Sequence, residues 1–166
     1  VNESGPPRDA PYQESRTRQV GAGRDVLWDV VSGIGGDSGW YAVDSAWRAR
    51  ALLDRAVGGP GMRGRDVVLR AGDPLDFWRV VDVSPPRRLL LRAEMRMPGT
   101  PWLELATAPV APDRSLLTQR VWFRPMNLIG HAQWWAELVG HKLVFSRMLT
   151  GIAREAERRA AGGGRP

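Results

Sequence analysis

The stretch that decides the fold runs from residue 66 to residue 125: DVVLRAGDPLDFWRVVDVSPPRRLLLRAEMRMPGTPWLELATAPVAPDRSLLTQRVWFRP. It divides into five runs rich in Val, Leu, Phe or Trp, at 66–70, 75–83, 88–97, 101–108 and 116–124, separated by turn-formers at 71–74, 84–86, 98–100 and 109–114. Connections this short join antiparallel neighbours, because a parallel crossover consumes about a dozen residues or more. The stretch therefore predicts an antiparallel meander. Asp76, Arg92, Glu94, Glu104 and Gln119 interrupt the apolar runs, so one face of the sheet either lines a pocket or meets water.

Working outward, residues 14–20 alternate weakly and predict a first strand at the sheet edge, broken by Gly21-Ala22-Gly23. From Arg24, the apolar positions Leu27, Val30, Val31 and Ile34 fall at helical spacing, and Gly33, Gly35 and Gly36 close that helix. Asp44 or Ser45 is placed to cap a second short helix with Ala46, Ala49, Leu53, Ala56 and Val57 inward, stopped by Gly58-Gly59-Pro60-Gly61. After the meander, 128–158 is the longest helical pattern. It puts Trp134, Leu138, His141, Phe145, Met148, Leu149 and Ile152 on one broad face, with Glu137 and Arg147 outside it. A face that wide needs a cover, and the sheet supplies one. The reading is an α+β chain with a disordered arm at 1–13, a single domain at 14–158 and a disordered tail at 159–166.

Composition narrows the function classes. The 166 residues suit one domain with a sizeable core. No apolar run reaches the roughly 18 residues of a membrane helix. No basic-then-apolar leader opens the sequence, so the expected location is cytoplasmic. The absence of cysteine excludes disulfides, a thiolate nucleophile and a Cys-ligated metal. The formal charge of +6 invites a nucleic-acid reading. Yet every cation but Lys142 is an arginine, and they are scattered, with part of the excess in the C-terminal tail. No nucleic-acid partner and no membrane partner is expected.

Several blocks carry a family resemblance. They are Gly39-Trp40-Tyr41 with Asp44 and Trp47, the run from Leu53 to Gly61, the run from Gly72 to Val80, and Leu90 to Met95 with Pro98-Gly99. Trp102-Leu103-Glu104, Phe123-Arg124-Pro125, Gly130, Trp134 and His141 continue the series. In this order they resemble the signature of the DUF2867 family, over about 39–148. The element order resembles the START-like helix-grip fold of the SRPBCC superfamily, in which a curved antiparallel sheet wraps around a long C-terminal helix with two short helices. The resemblance implies a cavity between sheet and helix. START-like relatives bind lipids, hormones or polyketides there, and some act as aromatase/cyclases. Many family members resemble attachments to NAD(P)-binding reductase-like domains, but this chain has no room for a Rossmann unit.

The expected function is binding of a small, mostly apolar organic molecule, polyketide- or lipid-like, with no cofactor. One alternative is a cofactor-independent cyclase, isomerase or lyase with Asp76, Glu104 and His141 as acid–base groups. A carboxylate against aromatic walls is partly desolvated, which raises its pKa toward neutrality, and imidazole titrates there already. The other alternative is a partner domain of a separate reductase. The residues expected to touch the ligand are Trp40, Tyr41, Trp47, Trp78, Met95, Trp102, Gln119, Trp134, Leu138 and Phe145. Against this stands a plainer reading, in which the acids form cross-strand ion pairs on the solvent face and His131 and His141 are core histidines. No metal site is expected, because the sequence has no His-Glu-x-x-His and no clustered ligands. No Gly-x-Ser-x-Gly elbow supports a serine hydrolase. The chain is expected to be a monomer or homodimer.

Overall fold

The computed structural model describes residues 5–6, 10–36, 39–41, 56, 58 and 68–163, apart from the side chains of 133–141. Six strands form one antiparallel sheet: β1 (Tyr12–Val20), β2 (Pro74–Leu75), β3 (Trp78–Ser84), β4 (Arg88–Ala93), β5 (Gly99–Ala111) and β6 (Arg114–Pro125), in the spatial order β1-β6-β5-β4-β3-β2. The meander is thus real, and the first strand closes it by pairing with the last. Helix α1 (Arg24–Ser32) follows β1, and helix α2 (Leu128–Gly163) ends the described chain.

The expected boundaries moved in physically sensible ways. β1 begins at Tyr12 because nine successive residues find partners on β6, from Tyr12 opposite Phe123 to Val20 opposite Ser115. The run at 75–83 is two strands, since Asp76 takes a positive φ of 52° and turns the chain between them. Val68–Arg70 is not strand; it lies beside the β2 turn, with Leu69 buried and Val68 exposed. The second short helix, apart from helical Ala56, and residues 66–67 lie outside the described residues. α2 continues to Gly163, past the expected end at 158, carried by Ala and Arg and by the Glu155 carboxylate, which bonds Arg158 and Arg159 one turn on.

Register assigns the two sheet faces. Val80, Leu91, Leu103 and Val121 oppose one another across four strands, as do Val83, Leu89, Leu105 and Gln119. A bulge between Val80 and Asp82 lets both Val80 and Val83 point inward, where strict alternation would turn one of them out. These residues make the inner face. Leu89, Leu91, Leu103, Leu105 and Leu117 are fully buried there. At about 1.5–3 kcal/mol for each buried leucine, this layer is a principal source of the fold's stability.

The inner face is covered by α1, through Leu27, Val30 and Val31, and by α2, through Phe145, Met148, Leu149, Ile152, Ala153 and Ala156. The α2 spacing is the i, i+3, i+4, i+7 stripe read from sequence. Phe145, Met148, Leu149 and Ile152 are buried as expected and Arg147 is exposed. The side chains of Trp134, Glu137, Leu138 and His141 lie outside the described residues.

Candidate functional site

The two carboxylates singled out from sequence are held apart by the fold. Asp76 is fully buried in the turn between β2 and β3. Its Oδ2 accepts hydrogen bonds from Trp40 Nε1 at 2.8 Å and from the Gly36 backbone N–H at 3.1 Å. Trp40 in turn lies nearly parallel to Phe77, with ring centroids 6.1 Å apart, and Trp78 completes the cluster at 5.7 Å from Phe77. Asp76 therefore pins the segment after α1 onto the sheet.

Glu104 lies on the other face. It is opposite Leu90 and Arg120, and both of its oxygens are taken, Oε2 by Arg88 Nε at 2.7 Å and Oε1 by Arg120 Nη1. Asp82 joins the group at 3.5 Å from Arg88. Trp102, two residues from Glu104, shares this face, with the Arg92 guanidinium 5.9 Å from its ring centroid. The plainer reading, cross-strand ion pairing, holds for Glu104. Trp102 is buried on this face beneath the Arg92 guanidinium. Glu94 also pairs, with Arg79 at 2.8 and 3.0 Å, and its hydrogen bond raises the guanidinium pKa still further. Glu104→Gln is expected to lower stability by about 1–2 kcal/mol in denaturant melts, because one of its two charge-assisted bonds is weakened and the other lost, both to half-exposed arginines. It should leave ligand binding untouched.

On the inner side the structure keeps Trp40, Trp78, Gln119 and Phe145 buried, and Tyr41 and Met95 half-buried against the core. Trp47 lies outside the described residues, as do the side chains of Trp134, Leu138 and His141. His131 is at the surface, where Nδ1 lies 2.8 Å from the Tyr12 hydroxyl, and is no core histidine.

Among the described residues, five polar or charged side chains are buried: Asp76, Glu104, Thr107, Ser115 and Gln119. Four are satisfied, Thr107 by the Pro86 carbonyl and Ser115 by the Ala22 carbonyl at 2.7 Å, beside the two carboxylates. Gln119 differs. It is fully shielded from solvent, and among the described residues neither its Oε1 nor its Nε2 has a hydrogen-bond partner. An uncompensated amide in such a place costs about 1–3 kcal/mol.

Its neighbours are polar in the same way. Register puts Arg16 of β1 directly opposite Gln119, and Arg18 one step along the same face. Arg16 Nη2 bonds Glu14, while Arg16 Nη1 and Arg18 Nε are shielded and have no partner among the described residues. Arg18 Nη1 reaches Thr150 Oγ1 of α2 at 3.5 Å, which shows that this face of β1 looks toward the helix. These three β1 residues were not singled out from sequence. Both phases of the strand are polar, Glu14-Arg16-Arg18 on one and Ser15-Thr17-Gln19 on the other, so periodicity alone does not say which turns inward.

With this geometry in place, a family model described as "Protein of unknown function (DUF2867)" matches residues 7–148. The chain belongs to the DUF2867 family. No curated protein matches it. Among solved structures, it is similar to the ZhuI aromatase/cyclase from Streptomyces sp. R1128, at 19% identity and a TM-score of 0.54, covering 92% of this chain and 98% of that one. It is also similar to norcoclaurine synthase from Thalictrum flavum, at 9% identity and a TM-score of 0.55, covering 89% and 95%. At these identities the likeness is one of fold. The architecture of this DUF2867 member is the START-like helix-grip fold: a six-stranded antiparallel sheet with a long C-terminal helix across it. No helix among the described residues is long and apolar enough to cross a membrane.

Proposed function

We propose that this DUF2867 member binds a small, mostly apolar organic molecule between the inner face of its sheet and α2. The observation that carries the reading is Gln119, a buried amide with four hydrogen-bonding positions and no partner, set among leucines on the face toward the helix. A ligand that hydrogen-bonds this amide offsets the cost of burying it. Proteins of the same fold include, by their names, an aromatase/cyclase and a norcoclaurine synthase. The binding reading goes further here than the catalytic one, because Asp76 and Glu104 are both engaged with partners inside the protein.

Two measurements test it. Native mass spectrometry of gently purified protein should show a discrete co-purifying mass. Gln119→Leu should raise the denaturant midpoint, by about 1–2 kcal/mol in stability, since it removes the orphaned amide at similar volume. The same variant should lose the co-purifying mass. A Gln119→Leu protein that is less stable than the parent and keeps the bound mass would overturn the proposal.

A further inference from the structure

The charge around Gln119 says more about the ligand than its size. On the inward phase of β1, Glu14, Arg16 and Arg18 follow one another at two-residue spacing, with Arg16 beside Gln119 across the β1–β6 pair. Glu14 answers one of the two guanidinium charges, through Arg16 Nη2. Among the described side chains of α2, the Arg18 guanidinium meets only the neutral Thr150 hydroxyl. The carboxylate of Glu157 is about two helical turns farther along α2, where it accepts from the Gly21 N–H at the far end of β1. Among the described residues, one positive charge is left over at the Arg16–Arg18 pair. Its unsatisfied donors, Arg16 Nη1 and Arg18 Nε, and the two orphaned atoms of the Gln119 amide lie on one side of the sheet.

Building on the ligand-binding reading above, we infer that the ligand carries a single carboxylate on an otherwise apolar body, and that Arg16, Arg18 and Gln119 form the subsite that holds it. The guanidinium fork matches a carboxylate in geometry and charge, and a partly dry setting strengthens such bonds. The Gln119 Nε2 amino group donates a further bond to one carboxylate oxygen. Its Oε1 then faces a hydroxyl or water. A monoanion balances the excess charge, whereas a cation meets two arginines and a neutral molecule leaves them unpaired. The leucine layer of β4 and β5 beside the cluster receives the apolar remainder.

The test uses defined probes on the full chain, followed by tryptophan fluorescence and calorimetry: 2-naphthoate against methyl 2-naphthoate, and decanoate against methyl decanoate. The expected result is an acid bound about ten-fold or more tightly than its ester in at least one pair, the margin of charge-assisted hydrogen bonds. Arg16→Met and Arg18→Met should each shrink that ratio, and Gln119→Leu should weaken the acid while sparing the ester. Glu104→Gln, on the opposite face, should keep the ratio. Esters binding as well as acids would overturn the carboxylate subsite and leave the apolar-ligand reading standing. Failure of all four probes to bind would overturn both. Because each variant is scored by a ratio within one protein sample, a partly unfolded preparation does not imitate the expected result.

Discussion

Asp76→Ala is expected to destabilise the protein by about 3–5 kcal/mol, the larger part of a typical domain's margin. Three costs combine. The Trp40 Nε1–H and the Gly36 N–H both lose their acceptor in a place where Trp40 is 1% exposed, so water does not readily replace it. Each such donor costs about 1–3 kcal/mol. The third cost is backbone: φ is 52° at this position, a region that Asp and Asn tolerate and alanine resists by about 1 kcal/mol. Asp76→Asn retains both the conformation and an acceptor oxygen, and should lose only about 1–2 kcal/mol. Urea melts of the two variants give the comparison. A loss below about 1 kcal/mol for alanine would mean that the carboxylate is not the pin described here, and would return it to the list of groups available for chemistry.

The same residue shows where sequence reading succeeds and where it stops. The turn-formers and apolar runs from 66 to 125 specify an antiparallel meander because strand period and turn chemistry are local properties. The α2 stripe is local too, and Phe145, Met148, Leu149 and Ile152 fall where the helical period puts them. Which face an acid occupies is not local. Asp76 and Trp78 alternate as a strand pair would, yet a left-handed residue lies before Trp78, so the period-two rule does not extend back across it. Glu104 has the same neighbours in sequence whether it points in or out. Its direction is decided by Leu103 and Leu105, which claim the inner face, and by Arg88 and Arg120, which arrive from adjacent strands.

The direction of Gln119 is decided in a related way. It stands in a strand whose own phase, Leu117, Gln119, Val121 and Phe123, is otherwise apolar, and that phase turns inward and buries the amide with it. The arginines beside it are not legible in the sequence. They come from a strand about a hundred residues earlier whose two faces look equally polar, and only the β1–β6 register brings them together. A site assembled from non-consecutive strands leaves no contiguous motif in the sequence.

Gly151→Ala is the second large effect, and it probes how α2 is seated. An alanine normally favours a helix interior over glycine by about 1 kcal/mol. At 151 the sign should reverse. A Cβ there would fall 1.8 Å from the Tyr41 carbonyl oxygen and 2.8 Å from its carbonyl carbon. Both are backbone atoms, so no rotamer change relieves the clash; the segment holding Tyr41, itself at φ 51°, or the helix has to move. The expected cost is about 3 kcal/mol or more, at the upper end for overpacking. Gly162→Ala supplies the internal control. It lies in the last turn of the same helix with nothing within 4 Å of the added carbon, and should stabilise slightly, by at most about 0.5 kcal/mol. Opposite signs from one substitution at two positions of one helix separate packing from propensity. They also report on function. Tyr41 follows Trp40, and Trp40 is tied to Asp76, so pushing α2 away from Tyr41 strains the anchored segment on one side and shifts Thr150, the neighbour of Arg18, on the other. If the inner-face subsite depends on how closely α2 approaches β1, Gly151→Ala should weaken binding of 2-naphthoate at temperatures where the variant is still fully folded, while Gly162→Ala leaves it unchanged.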